Sequence, residues 1–247
     1  ARLPERPPRP RPRPRPRGGG VTGDAGRREQ YAAVFGILAE VYGLPVWRSH
    51  GPPLDELIGT ILSQATADVN TARAYAELTA RFPTWEAVMD APPQAVSDAI
   101  RSAGLSQIKG PRIQNALRHI QRERGALSLD FLAEMPLDEA LAWLMQIDGV
   151  GPKTAAIVML FSLGRPAFPV DTHVYRVAGR LGLIPPRTSA AKAHDLLAAL
   201  GPPETYYPLH INFIRHGREI CRARNPHCHL CPLQDLCDYY LARAADA

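Results

Sequence analysis

The chain has 247 residues, of which 45% are hydrophobic and 21% are charged, proportions typical of a globular protein with one large domain or two small ones. It contains no run of 18 apolar residues, which excludes a membrane-spanning helix. It also has no apolar stretch behind its N-terminal charges, which argues against a secretory signal. We therefore expect a protein of the cytoplasm or nucleoid.

The formal net charge of +5 is concentrated in an N-terminal tail. Residues 1–17 contain seven arginines and one glutamate, a net +6, so residues 18–247 sum to −1. Alternate prolines in 7–17 (PPRPRPRPRPR) forbid a helix and favour an extended chain. We predict that residues 1–27 form a disordered basic tail, with Gly18–Gly26 as a flexible linker. The tail is either a nucleic-acid-binding arm or a solvated segment without a role, and the sequence leaves both open.

Beyond Arg28 the apolar residues recur with helical spacing. Along 53–64 five of them follow the order i, i+3, i+4, i+7, i+8 and form one buried face: Leu54, Leu57, Ile58, Ile61 and Leu62. The segment 155–163 is apolar on nearly all sides, so this helix is predicted to lie in a core. Other helices are predicted near 29–43, 68–82, 93–101, 107–123, 137–145, 174–181, 190–200 and 204–219. No run alternates apolar and polar residues as a strand requires, so the predicted fold class is all-α.

A glycine-rich turn separates two of these helices. Residues 141–160 (LAWLMQIDGVGPKTAAIVML) contain Gly149, Val150 and Gly151, followed by Pro152 at the first position of a helix. Free backbone N–H groups of such a turn form an anion site suited to a phosphate. A plain helix-turn-helix would contain similar glycines, so the turn alone leaves the function open.

A lysine and an aspartate follow the turn. Lys153 lies in the first turn of the predicted helix, where the helix dipole disfavours a cation, and burial in a cleft would lower its pKa further. Such an amine suits nucleophilic attack. Asp171, 18 residues later, precedes another helix and could simply cap it.

The segment LMQIDGVGPKTA followed by PVDTHVYRV resembles the helix-hairpin-helix and active-site signature of the endonuclease III family. The resemblance extends over roughly residues 29–240. It implies that Lys153 is the attacking amine and Asp171 the activating carboxylate of a base-excision DNA glycosylase and abasic-site lyase. In that chemistry a damaged nucleotide is flipped out, its base leaves, a Schiff base forms on the lysine, and β-elimination nicks the strand.

All four cysteines of the chain lie within 17 residues, with the spacing C-x6-C-x2-C-x5-C: Cys221, Cys228, Cys231 and Cys237. Four thiolates suit zinc or an iron–sulfur cluster equally, and counting alone also permits disulfides. Zinc modules usually pair two short C-x2-4-C knuckles, and only one pair here is that close. The spacing is similar to the C-terminal loop of the endonuclease III family, which implies a [4Fe–4S] cluster.

The resemblance also separates branches of the family. In the adenine-mismatch branch a catalytic glutamate precedes the Leu-Gln pair, and the corresponding residue here is Gly59. Mismatch thymine and uracil relatives lack the lysine nucleophile, which this chain has at position 153. Oxidised pyrimidines are therefore the substrates that the resemblance implies.

Further residues are predicted to contact DNA. Gln64 and Leu105 resemble the two residues that fill the gap left by a flipped base, although Ala65 is an alternative to Gln64. Otherwise Gln64 is an ordinary helix-end residue and Leu105 a core residue. Arg222 and Arg224 either bind DNA phosphates or act only as counter-ions to the cluster. The same two alternatives apply to Arg215 and Arg218, which lie just upstream. His173 is interpreted as a structural histidine.

Together these features predict two helical domains. A six-helix block with the helix-hairpin-helix covers 46–165, and a helical cluster domain combines 28–45 with 166–247, with the active cleft between them. The expected partner is double-stranded DNA containing oxidised pyrimidines or abasic sites. The protein is expected to bind it as a monomer and not to bind a membrane. The alternative is a non-catalytic helix-hairpin-helix DNA-binding protein with a structural metal site.

Overall fold

A computed structural model of the protein describes residues 23–245. These residues form helices and turns and contain no strand, which confirms the all-α class. None of their helices is long and apolar enough to cross a membrane. The tail predicted for 1–27 lies mostly outside the described residues. The prediction of a disordered tail is wrong for residues 24–27, because the first helix begins at Asp24. The acidic side chain of Asp24 suits the helix N-terminus and pairs with Arg27.

Twelve α-helices occur within the described residues. They are α1 (Asp24–Tyr42), α2 (Pro53–Ser63), α3 (Asp68–Arg81), α4 (Trp85–Asp90), α5 (Pro93–Ala99), α6 (Ser106–Arg124), α7 (Leu137–Leu144), α8 (Pro152–Ile157), α9 (Thr172–Arg180), α10 (Ala190–Ala198), α11 (Tyr206–Glu219) and α12 (Asp238–Ala245). The predicted helices are present with bounds that differ by a few residues. Helices α4 and α12 were missed, because six and eight residues are too short for a clear hydrophobic period.

The helices surround two hydrophobic cores. The first core is formed by residues of α2 to α8, among them Leu57, Leu78 and Ile113. The second is formed by α1 and α9 to α11, with Leu38 and Phe213 at its centre. A fully buried side chain of this size stabilises the fold by about 2 kcal/mol. The residues of the two cores correspond to the two predicted domains, and the division into domains stays a prediction.

A π-helical turn, Val158–Ser162, continues α8 and contributes to both cores. The segment between α1 and α2 lies on this turn and supplies donors to the carbonyl groups of its last three residues. Trp47 Nε1 donates to the Leu160 carbonyl (2.7 Å), Ser49 Oγ to Ser162 (3.0 Å), and the backbone N–H of His50 to Phe161 (3.1 Å). These three bonds hold the segment that carries His50 against the π-helical turn, at the boundary between the two cores. Because π-helical turns occur frequently at functional sites, this boundary is a candidate position for the site.

Candidate active site and cysteine site

The chain contains only three lysines, at positions 109, 153 and 192, and the structure places them in three different environments. Lys192 is exposed on α10, and Lys109 is 1% exposed. Lys153 lies between these extremes, half-buried as the second residue of α8. Burial lowers the pKa of Lys153, and the carboxylates of Asp171 and Glu56 oppose this effect without cancelling it. Within the described part of the chain, its Nζ has no hydrogen-bond partner.

Asp171 is the N-cap residue of α9. Its Oδ1 accepts a hydrogen bond from the backbone N–H of Val174 at 2.7 Å, so the capping role considered from the sequence is present. The same carboxylate interacts electrostatically with Lys153. The fold therefore brings together two groups that are 18 residues apart.

Two further titratable groups were missed by sequence reasoning. Glu56 of α2 interacts electrostatically with Lys153, and burial raises its pKa. His210 of α11 is buried and interacts with both Asp171 and Lys153; its Nδ1 donates to the Pro169 carbonyl at 2.8 Å. Burial lowers the pKa of His210 to about 4. No sequence motif marks either residue, because both lie on ordinary amphipathic helices. We refer to Glu56, Lys153, Asp171 and His210 as the cleft residues.

The hairpin turn lies at the end of the first core. Gly149 has φ +78°, and a Cβ there would also collide with the side chain of Arg112, so the position requires glycine twice over. Val150 buries its side chain in the first core, which leaves its backbone as the part available for contact. Gly151 is exposed. The turn therefore presents backbone rather than side chains at the surface.

The two predicted gap-filling residues are held differently. Leu105 is 59% exposed and has left-handed φ and ψ (50° and 30°) immediately before α6. Gln64 is half-buried: its Nε2 donates to the Gly149 carbonyl at 3.1 Å, and its Oε1 accepts from Arg112 Nη1 at 3.1 Å. We call Gln64, Arg112 and Gly149 the Gln64 latch. Ala65, the alternative to Gln64, is exposed with φ 53°.

Lys109 lies behind this latch. Its ammonium donates to three oxygens in the two segments that flank Gln64 and precede Leu105. They are Leu62 O in the last turn of α2 (2.7 Å), Thr66 Oγ1 in the loop after α2 (2.6 Å) and Ala103 O (3.0 Å). Lys109 therefore joins the two predicted gap-filling loops, a role the sequence did not indicate because lysine is rarely buried.

The four cysteines line one cavity, together with Arg180 and residues of the 221–237 loop. No disulfide joins any of the four, so the structure does not support the disulfide alternative. Within the described residues, no three Cys, His, Asp or Glu side chains converge on one metal-ion position; the cysteines stand around the cavity wall instead. Burial raises the pKa of Cys231 to about 12 and that of Cys237 to about 11, so thiolates here require compensating cations. This thiol-lined cavity fits a polynuclear iron–sulfur group.

Arginines surround the cysteine loop. Arg180 donates to Cys221 Sγ (3.3 Å) and to the carbonyl of Arg222 (2.8 Å), whereas the side chains of Arg222 and Arg224 are exposed. The two upstream arginines have acidic partners: Arg215 pairs with Glu219 (3.1 Å) and Arg218 with Asp68 of α3 (2.8 Å).

His173, predicted to be structural, has its Nδ1 within 3.1 Å of Arg176 Nη2. Arg176 also donates to the carbonyls of Gly217 and Cys221, both at 2.9 Å. His173 thus lies among the contacts that join α9 to the end of α11, which supports a structural role.

Comparison with known proteins agrees with this geometry. Residues 58–203 match the family model of HhH-GPD superfamily base excision DNA repair proteins. Residues 221–237 match the iron-sulfur binding domain of endonuclease III. The fold matches that of a trapped covalent endonuclease III–DNA intermediate with a TM-score of 0.75 and 29% identity, covering 88% of this chain and 98% of that one.

The chain therefore belongs to the HhH-GPD superfamily of base excision DNA repair proteins. Within the superfamily it belongs to the endonuclease III family: it is 34% identical to endonuclease III of Thermotoga maritima over 191 residues, 77% of this chain and 85% of that protein. It is also 39% identical over 168 residues to a putative DNA glycosylase of Arabidopsis thaliana. That match covers 68% of this chain and 57% of the plant protein. The cysteine site holds a [4Fe–4S] cluster, and zinc is not favoured.

Proposed function

We propose that this base-excision-repair DNA glycosylase and abasic-site lyase removes oxidised pyrimidines from duplex DNA, with Lys153 as the nucleophile and Asp171 as its supporting carboxylate. The observation that carries the proposal is the electrostatic interaction of Asp171 with Lys153, a half-buried lysine whose pKa is lowered by burial. A neutral amine has the lone pair that nucleophilic attack requires. The non-catalytic alternative is not favoured, because it gives this pair no role.

The reaction begins with a nucleotide flipped out of the stack. The lone pair of Lys153 Nζ attacks C1′ of the deoxyribose, and the base leaves with the electrons of the glycosidic bond. Asp171, positioned at the N-terminus of α9, stabilises the positive charge that develops on the sugar. The adduct opens to a Schiff base. Loss of a C2′ proton and cleavage of the C3′–O bond then nick the strand.

Other residues bind the duplex. The backbone of Gly149 to Gly151 and the exposed side chains of Arg222 and Arg224 contact phosphates. Leu105, exposed and fixed in a left-handed conformation, enters the gap left by the flipped nucleotide. Gln64 lies beside this position and reaches the gap only if it leaves the Gln64 latch.

Cys221, Cys228, Cys231 and Cys237 hold the cluster, which when bound fixes the loop to the rest of the domain and supplies a charged centre near the DNA-facing arginines. Arg180 orients the loop through its contacts with Cys221 and the Arg222 carbonyl. Because one chain contains both the cleft residues and the cysteines, no second subunit is needed to complete the site, and the proposed enzyme acts as a monomer. Its proposed substrate is the DNA of the nucleoid.

Borohydride trapping tests the proposal. Wild-type protein incubated with a duplex carrying one oxidised thymine should release the base and form a covalent adduct when borohydride is added. Lys153→Gln should lose both activities by more than about a thousandfold, while binding to the duplex survives. Lys192→Gln serves as the matched control and should trap normally, because Lys192 is exposed on α10.

Asp171→Asn completes the test. It should be nearly inactive but bind the duplex at least as well as wild type, because it removes a negative charge from a DNA-facing cleft. A normal adduct yield from Lys153→Gln would show that another amine is the nucleophile and would overturn the assignment.

A further inference from the structure

Lys109 of α6 joins the two segments that carry the predicted gap-filling residues, and the reaction described above gives it no role. The first segment, 64–67, connects α2 to α3, and the second, 101–105, leads into α6. We refer to these two segments as the gap loops. Lys109 is 1% exposed, so its side chain contacts protein atoms and not the substrate.

Each gap loop exposes one residue in a left-handed backbone conformation. Ala65 is exposed with φ 53°, and Leu105 is 59% exposed with φ 50°. Neither residue is glycine, so both conformations are strained and persist only where the surrounding structure imposes them. The shapes of both gap loops therefore depend on contacts made by other residues.

Lys109 makes such contacts with both gap loops. Its ammonium donates to Thr66 Oγ1 (2.6 Å) in one loop and to the Ala103 carbonyl (3.0 Å) in the other, and also to the Leu62 carbonyl (2.7 Å) at the end of α2. The Thr66 hydroxyl in turn donates to the Ala103 carbonyl, which closes a ring of three polar groups between the loops. The backbone N–H of Lys109 donates to the Leu105 carbonyl at 2.9 Å. One residue therefore fixes the two loops relative to each other.

We propose that Lys109 is a positioning residue for nucleotide flipping: it holds the gap loops as one rigid unit, so that Leu105 enters the stack and keeps the damaged nucleotide outside it. Flipping costs the stacking and pairing energy of the nucleotide, and a side chain in the gap holds the stack open only if its own backbone does not move away. This inference rests on the proposed role of Leu105 in the gap. It does not depend on which amine is the nucleophile.

The need for Lys109 should depend on the substrate. A damaged nucleotide that is paired in a duplex has to be forced out of the stack, whereas the same nucleotide in a short unpaired bubble costs less to extrude. Loss of the ammonium should therefore slow base release from the paired lesion more than from the bubble. A residue that only stabilises the fold would change both rates by the same factor.

The test compares base release by wild type and Lys109→Met from an oxidised thymine placed in a paired duplex or in a bubble. Full-length, cluster-containing protein is used under single-turnover, saturating conditions. We expect the rate on the paired lesion to fall at least about tenfold more than the rate on the bubble. The variant should still form a borohydride adduct, but more slowly.

A double variant tests whether Lys109 acts through Leu105. Leu105→Ala should also slow the paired lesion more than the bubble. When Lys109→Met and Leu105→Ala are combined, their effects on the paired lesion should not multiply, because both changes remove the same function.

Gln114→Met is the matched control for the loss of buried hydrogen bonds. Gln114 lies on the same helix as Lys109 and is fully buried. Its Nε2 donates to three carbonyl groups of α4 and the residue after it, all outside the gap loops: Val88 (2.9 Å), Met89 (3.3 Å) and Ala91 (2.8 Å). The variant should lose stability but keep the wild-type ratio of the two rates.

Thr66→Val gives an independent test if Lys109→Met does not fold. It removes the hydroxyl from the ring of polar groups and leaves the lysine in place. We expect a change in the ratio of the two rates in the same direction as for Lys109→Met, but smaller.

Three results would overturn the inference. Equal slowing of Lys109→Met on both substrates would show that Lys109 only stabilises the fold, and unchanged rates would show that the gap loops do not need it. Effects of Lys109→Met and Leu105→Ala that multiply would show that Lys109 does not act through Leu105.

Failure of the proposed function is distinct, since wild-type protein would then release no base from either substrate. Opening of the pair on binding is then measured by the fluorescence of a 2-aminopurine placed opposite the lesion. The rise in fluorescence should be smaller for Lys109→Met than for wild type, and an equal rise would contradict the positioning role.

Discussion

Two regions of the first core each contain a lysine whose burial lowers its pKa, and they use it in opposite ways. Lys109 donates to three neutral oxygens and is enclosed. Lys153 is half-buried, faces two carboxylates and makes no hydrogen bond within the described residues. A lowered pKa alone therefore does not mark a nucleophile.

The difference lies in what surrounds each amine. Around Lys109 the partners are fixed and cannot titrate, so the ammonium acts as a cross-link between two loops. Around Lys153 the neighbouring groups Glu56, Asp171 and His210 are titratable, and none of them forms a hydrogen bond with its amine. The two regions meet at the hairpin, because Gly149 belongs to the Gln64 latch and Lys153 lies four residues later.

The largest effect that separates the two regions is expected from Lys109→Met. The change removes the ammonium donor from Leu62 O and Thr66 Oγ1, whereas Ala103 O keeps the hydrogen bond from the Thr66 hydroxyl. It should lower the free energy of unfolding by about 3 kcal/mol. Thermal unfolding measures this loss, with Lys192→Met as the exposed-lysine control. When the Lys109→Met variant is saturated with damaged duplex, it should still give a borohydride adduct. A stable variant that no longer traps would contradict the assignment of Lys109 to structure and Lys153 to chemistry.

A loss of stability of intermediate size is expected when the pH is lowered, because the buried His210 resists protonation in the folded protein. Burial lowers the pKa of His210 to about 4, below its ordinary value of about 6.5, so the unfolded chain takes up the proton first. The stabilisation is complete above about pH 6.5 and is lost as the pH falls toward 4. Between pH 7.5 and pH 5 this histidine should account for a loss of about 2 kcal/mol.

Unfolding of wild type and His210→Gln at the two pH values measures this contribution. The variant should be less sensitive to pH by about that amount. The exposed-histidine control, His229→Gln, should behave as wild type. Equal sensitivity of wild type and His210→Gln would mean that His210 does not resist protonation.

The smallest effect concerns the Gln64 latch. In a double-mutant cycle of Arg112→Met and Gln64→Leu, the loss of their 3.1 Å hydrogen bond should appear as a coupling energy of about 1 kcal/mol. Arg112→Met combined with Gln121→Leu, on the same helix, should be additive. Additivity of the first pair would show that Gln64 is already free in solution.

Most of the chemistry could be predicted from the sequence because it is local. The glycines, Pro152 and Lys153 lie within five residues, and the four cysteines lie within 17. Turn conformation and ligand spacing leave a signature in such short segments. Helices with a long apolar stripe were predicted for the same reason, whereas the six residues of α4 were too few.

Contacts between distant segments were decided by the tertiary structure alone. Glu56 and His210 join Lys153 although 97 and 57 residues separate them from it in the sequence, and Lys109 is buried although its residue type favours exposure. The sequence also predicted Gln64 as a gap-filling residue without indicating that Arg112 and Gly149 already hold its amide. The physical reason is that burial and electrostatic contact depend on how helices pack, which no single helix specifies. The amino-acid sequence thus determined the motif, the ligands and the helices, and packing determined which carboxylates and histidine surround the lysine.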